Sequence, residues 1–172
     1  MKMEKTLLRI MELFRPYAEA GREIVCFSIS AGMSTSGNVM RLAAEELGAS
    51  DRIKVIDSAN LSTGIGLLVV EAAIMAKNNR TASQIVSEIE KLKPNVRASF
   101  VVDTLTYLYR GGRCNAVAAM AGGVLKLHPR IVVEDGAMNA SKKYRGKIAS
   151  VVMNYVKDME KDLKKRDLNA YL

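Results

Sequence analysis

Apolar positions along this chain alternate between helical spacing and short unbroken runs, and that alternation predicts the architecture. Leu7, Leu8, Ile10, Met11 and Phe14 fall on one face of a helix over Met3 to Ala18, ended by Ala20-Gly21. Glu23 to Ile29 is a near-continuous apolar run, the pattern of a strand covered on both faces. A loop of small hydroxyl and glycine residues, Ser30 to Asn38, leads to Val39, Leu42, Ala43 and Leu47 at helical spacing, and then to a strand over Arg52 to Asp57. Such a strand–loop–helix–strand unit predicts parallel pairing with a right-handed crossover.

A second small-residue loop, Ser58 to Gly64, opens a helix with Ile65, Leu68, Val69, Ala72, Ala73 and Ala76 on one face, broken at Asn78-Asn79. Thr81-x-x-Gln84 reads as a capping box before Ile85, Ile89 and Leu92, and Pro94 closes that helix. The boundary expected near Lys93 to Val96 divides the chain into lobes 1–94 and 95–172. In the second lobe, Phe100 to Asp103 reads as a strand, Thr104 opens one helical turn, and Arg110-Gly111-Gly112-Arg113 breaks it. At least one of those glycines is expected at φ > 0. Asn115 to Leu125 reads as a buried helix, Pro129 to Glu134 as a strand, and Asp135-Gly136 as a hairpin turn into Ala137 to Ala140. Lys142 to Lys147 reads as a basic connection to a final helix, with Ile148, Val151, Val152, Tyr155, Val156, Met159 and Leu163 as its buried stripe.

Composition narrows the class. With 172 residues and 49% apolar content the chain can bury a core. No apolar run approaches the roughly 18 residues of a membrane span. The N-terminal MKMEKTLLRIMELF carries charges among its apolar positions, unlike a secretory signal. Cys26 and Cys114 lie far apart and read as free thiols of a reducing cytosol, so the expected location is cytoplasmic. One His and two Cys argue against a metal site. The formal charge of +8 is spread, with a cluster at Lys161, Lys164, Lys165 and Arg166. Without basic–aromatic interleaving, no nucleic acid partner is expected; transient contact with a membrane surface is left open.

The two small-residue loops hold the candidate chemistry. Each follows a strand and precedes a helix, and parallel pairing puts both at the carboxyl edge of the sheet, where open α/β sheets bind ligands. A helix N-terminus offers free N–H groups and a positive dipole end, suited to one carboxylate or phosphate. Ser30, Ser34, Thr35 and Ser36 add hydroxyls, and Gly32 and Gly37 allow close backbone approach. Ordinary N-capping by Ser and Asn is the competing reading. The loop lacks the Gly-Lys-Ser/Thr triplet of a Walker loop. His128 has no serine partner in sequence, and Asp57 and Asp103 at strand ends read as caps of the following turns. A binding protein with no catalytic residue, metal or cofactor is therefore expected rather than a hydrolase.

The string Val102-Asp103-Thr104-Leu105, Tyr107-Leu108 and Arg110-Gly111-Gly112-Arg113 resembles the signature of the DegV family of bacterial fatty-acid-binding proteins. The serine loop resembles that family's serine-rich loop, and Val55-Ile56-Asp57-Ser58, Pro129 to Gly136 and Lys142-x-x-Arg145-Gly146 fit its other elements in order. The resemblance implies a parallel Rossmann-like sheet portion with a second, smaller α+β subdomain. It also implies a long-chain fatty acid as ligand, its carboxylate on Ser30, Ser34, Ser36 and the Gly32 backbone, with Arg113 and Arg145 as charge partners. The implied role is a non-catalytic carrier that presents the bound acid to the catalytic subunit of a fatty acid kinase for acyl-phosphate formation. The alternative is a small α/β enzyme or regulatory module binding a phosphorylated metabolite at the serine loop. Family members are longer, so a partial chain with an incomplete site and a tendency to self-associate is a further expectation.

Overall fold

In the first strand, β1 (Ile24–Ser28), neighbouring side chains point to opposite faces, and each face meets its own apolar cluster. Ile24 and Cys26 pack with Phe14 and Ala18 of α1 (Lys2–Glu19) and with Ala43 and Ala44 of α2 (Ser36–Glu46). Val25 and Phe27 pack with Leu68 and Ala72 of α3 (Thr63–Lys77) and with Ile85 and Ile89 of α4 (Ala82–Leu92). The second strand, β2 (Ile53–Asp57), divides in the same way, Ile53 and Val55 toward α1 and α2, Ile56 toward α3 and α4. The strands are parallel, in register from Ile24 opposite Ile53 to Ser28 opposite Asp57. This is the doubly covered parallel pair that the apolar runs predict. Burial pushes the Cys26 thiol up to about 11, Arg41 pulling slightly the other way, so it is a protonated packing group.

This computed structural model describes residues 2–112 and 127–164. They form a mixed α/β fold with one parallel and one antiparallel sheet. The chain divides into two compact units, Met1–Ala98 with Val133–Ala137, and Ser99–Val132 with Met138–Leu172. In the first, the Thr81 hydroxyl accepts from the Gln84 N–H while the Gln84 side chain accepts from the Thr81 N–H, the capping box read from the sequence. α4 ends at Leu92, and a 3₁₀ turn over Lys93–Asn95 carries Pro94. The stripe on α3 differs from its expected form. Leu68 and Ala72 are buried, but Val69, Ala73 and Ala76 are exposed. α3 is apolar around most of its circumference, so spacing alone does not select the row that α4 and the strands cover.

The second unit holds most of a three-stranded sheet in the order β3 (Ala98–Val101), β4 (Leu127–Glu134), β5 (Ala137–Arg145), while the β4–β5 hairpin tip over Val133–Ala137 belongs to the first unit. β3 begins two residues before Phe100, where the apolar run was expected to start a strand. Asp135 and Gly136 turn β4 into β5 with φ of 50° and 72°, the pair of left-handed residues that a two-residue hairpin requires. β5 continues to Arg145, so Lys142 to Arg145 is strand rather than connection; Tyr144 points inward while Lys142, Lys143 and Arg145 stay exposed. The last helix, α6 (Ile148–Lys164), buries Val151 fully and Tyr155 and Met159 in part. Ile148, Val152 and Val156 of the expected stripe are instead exposed, at helical spacing along one flank of α6. The expected helix over Asn115 to Leu125 lies outside the described residues.

Short polar contacts tie the second unit. The Tyr155 hydroxyl donates to the Ser99 carbonyl at 2.7 Å, and the Arg130 guanidinium lies 5.8 Å from the Tyr155 ring centre. His128, 5% exposed, faces the Val102 carbonyl with Nδ1 at 3.2 Å and the Gly146 carbonyl with Nε2 at 3.1 Å, with the Asp103 carboxylate 3.5 Å from Nδ1. His128 thus joins three backbone segments, as a structural histidine does. The helical turn α5 (Thr106–Arg110) is opened by Thr104, whose hydroxyl accepts the Thr106 N–H; Asp103 turns to His128 instead of capping. Gly112 has φ 65°, as the double glycine predicts.

Candidate functional site

The serine loop leaves β1 at Ser28 and is bound back onto itself through Ser30. The Ser30 carbonyl accepts the N–H groups of Met33 and Ser34 at 2.9 and 3.0 Å, and its own N–H donates to the Asn60 carbonyl at 2.9 Å. Its side chain is 1% exposed; the hydroxyl donates to the Gly136 carbonyl at 2.6 Å and accepts the Gly32 N–H at 3.2 Å. Further along, the Ser34 oxygen accepts the Ser36 N–H at 3.2 Å, and its hydroxyl reaches the Ser36 oxygen at 3.2 Å. Both serines are half-buried, and Ala31 and Gly32 are exposed. The N-cap of α2 is Thr35, whose side chain makes no capping bond. Capping at this end falls instead to Ser34, whose oxygen takes the N–H of Ser36, the first residue of α2, and the N-terminus remains the electropositive end of the helix.

The second loop is organised by its own polar side chains. Ser58 and Asn60, 1% and 3% exposed, exchange bonds: the Ser58 hydroxyl donates to the Asn60 carbonyl and accepts the Asn60 N–H. The Asn60 side chain accepts the Leu61 N–H and donates to the Val96 carbonyl. A Cβ on Gly64 would collide with the Asn60 side chain, so only glycine fits at the start of α3 beside it. Asp57 stands between the loops, its Oδ1 accepting the N–H groups of Ala31 at 3.2 Å and Ala59 at 2.9 Å. It caps, as expected, but spans both loops. Ala59 and Ser62 sit at φ 49° and 50°, strained for residues with a β-carbon, and the bond to Asp57 holds Ala59 there.

Four of the residues expected at a ligand site, Ser30, Gly32, Ser34 and Ser36, thus share one loop in the first unit. Ser30 and Gly32 are bonded to each other, and Ser34 and Ser36 likewise. Arg145 is an exposed residue of β5 in the second unit. Arg113 lies outside the described residues. The local pattern did not show Gly136 as part of this loop's environment: it lies 106 positions from Ser30, and only the tertiary fold joins them. Among the described residues no group of His, Cys, Asp and Glu could hold a metal ion, and no helix is long and apolar enough to cross a membrane.

Residues 6–169 match the family model described as "Uncharacterised protein, DegV family". A DegV domain-containing protein of Caldanaerobacter subterraneus is 29% identical over 163 residues, which are 94% of this chain and 58% of that protein. A stearic acid-binding protein from Eubacterium ventriosum superposes with a TM-score of 0.75 at 28% identity, over 91% of this chain and 56% of the other. A DegV family protein from Thermus thermophilus, described by its fatty acid binding, gives a TM-score of 0.70 at 27% identity, over 81% of this chain and 49% of the other. This chain spans about half the length of the relatives it matches. The family model covers nearly the whole sequence and the fold agrees with it: the chain belongs to the DegV family.

Proposed function

We propose that this protein is a non-catalytic carrier of long-chain fatty acids, holding the carboxylate at the serine loop. The observation that carries the reading is the hydroxyl pair Ser34 and Ser36 gathered at the N-terminus of α2, where Ser34 donates to Ser36, in a fold shared with proteins described as binding fatty acids. An anion there meets donors and the positive end of the helix dipole. The Asp57 carboxylate at the end of β2 repels an anion on its own side of the edge, which favours the α2 side of the loop. Ser30, Gly32, Ser34 and Ser36 build the head-group loop in this reading, and Arg113 and Arg145 are the cations proposed to answer the carboxylate or its phosphorylated form. The lobe over 1–94 carries the loop, and the lobe over 95–172 carries the cations. Presentation of the acid to a separate kinase for acyl-phosphate formation in the cytoplasm completes the proposed role.

Native mass spectrometry of the chain purified from bacteria tests it. A bound mass equal to a long-chain fatty acid is the expected result. A bound phosphorylated metabolite would replace this reading with a small-molecule regulatory or enzymatic one, and a ligand-free protein that also fails to take up added fatty acid would end it.

A further inference from the structure

A serine hydroxyl has one proton to give. Ser30 gives its proton to the Gly136 carbonyl at 2.6 Å and uses its oxygen to accept the Gly32 N–H, inside a site where it is 1% exposed. In this arrangement Ser30 has no proton for a ligand. The fit around the bond is close from both sides. A Cβ on Gly32 would stand 2.9 Å from the Gly136 carbonyl oxygen, and a Cβ on Gly136 would stand 2.6 Å from the Ser30 oxygen. Both glycines therefore do more than shape their own turns. Ser30 is also the backbone hub of the loop, since its carbonyl holds the Met33 and Ser34 N–H groups.

We infer that the Asp135–Gly136 hairpin tip is the positioning element of the serine loop, and that Ser30 acts through this tip rather than on the ligand. The Gly136 carbonyl holds Ser30, Ser30 holds Gly32 and the turn to Ser34, and that turn delivers Ser34 and Ser36 to the start of α2. The effect on affinity rests on the carrier reading above; the positioning is a property of the chain without ligand.

Gly136→Asn isolates the contact. Asparagine tolerates φ > 0 in a two-residue hairpin, so the turn survives while the new Cβ is driven against the Ser30 oxygen. Hydrogen exchange on the full chain without ligand, and titration with a fluorescent fatty acid, read the two consequences. The Gly32, Met33 and Ser34 amides should exchange about tenfold faster or more in Gly136→Asn, with the Ile85 and Ile89 amides of α4 unchanged. Affinity should fall by a similar factor. Ser30→Ala, which adds no atoms, should do the same, and the double variant should be no worse than Ser30→Ala alone. With the oxygen gone, the nearest Ser30 atom to the added Cβ is 3.8 Å away.

Loop exchange within twofold of the parent in Gly136→Asn would overturn the inference. So would effects of the two substitutions that multiply, or lower affinity in Ser30→Ala with unchanged loop exchange, which would put Ser30 on the ligand. If Gly136→Asn does not fold, Ser30→Ala read by both methods still decides. If the parent chain binds no fatty acid, the carrier reading fails while the exchange measurement still judges the positioning.

Discussion

Ser34 and Ser36 are where a single substitution should speak most directly to ligand binding. Ser34 gives its proton to Ser36, which leaves the Ser36 hydroxyl as the donor to a carboxylate with Ser34 behind it. A bond to a charged group contributes about 1.5–3 kcal/mol, so Ser36→Ala should weaken fatty acid affinity roughly ten- to a hundredfold. Ser34→Ala, which removes the support of that donor, should weaken it in the same direction. Both side chains are half-buried and small, so the melting temperature should move little. A fluorescent fatty acid titration checks this, and unchanged affinity in both variants would remove the head group from this loop. Residue chemistry of this kind was partly legible in the sequence. The double glycine predicted a left-handed residue and Gly112 supplies it, because a backbone need is written locally. The engagement of Ser30 was not legible, because its partner Gly136 is a carbonyl, and every residue has one. Likewise Asp103 was expected to cap a turn, but the ring of His128 on β4 draws it away, and no local pattern announces that.

Between elements, β5 and α6 meet through one carboxylate. The Tyr144 hydroxyl donates to Asp158 Oδ2 at 2.8 Å, and Lys142 pairs with the same oxygen. The bond from Lys142, and then that from Tyr144, hold the Asp158 carboxyl below its ordinary value. Burial, and then the bond to Asp158, push the Tyr144 phenol up to about 12. The two shifts act at opposite ends of the pH scale. Asp158, lowered in the folded state, contributes stability that is present above the ordinary carboxylate value of 3.8 and lost as pH falls through the lowered one. Tyr144, raised, contributes stability that is full below the ordinary phenol value of 10.0 and lost as pH rises through about 12. Alkaline titration followed by tyrosine absorbance and circular dichroism should therefore show structure lost between those two values, and Tyr144→Phe should flatten that dependence. Identical alkaline transitions in parent and variant would refute the clamp. Its strand was missed in the sequence because Lys142 to Arg145 offers one apolar residue among cations, too weak an alternation to outweigh a basic-loop reading; pairing with β4 supplies what the pattern lacks. The Asp135-Gly136 turn was legible because its geometry is set by those two residues alone.

For the chain as a whole, the parallel pair was the most legible part, since β1 and β2 are apolar on both faces and two clusters cover them. Less legible was which side of each amphipathic helix would be covered. α3 leaves Leu67, Val70 and Ile74 at 60%, 56% and 49% exposure, and α6 leaves Val152, Met153 and Val156 at 40%, 58% and 50%. Helical spacing reports that a row is apolar, not what lies against it. Clustered exposed apolar side chains of this size favour association, because joining two such faces removes them from water. The opposing effect is charge: at a formal +8 two copies repel each other, and salt screens that repulsion over about 10 Å at 0.1 M. Self-association is therefore expected to rise with protein concentration and also with salt, the reverse of an assembly held by ion pairs. Sedimentation velocity over a concentration series at low and high salt measures both trends. Val70→Glu with Ile74→Glu, on exposed positions of α3, should return the protein to monomer without lowering its melting temperature. A parent chain that stays monomeric at every concentration and salt level would show that these faces remain solvated.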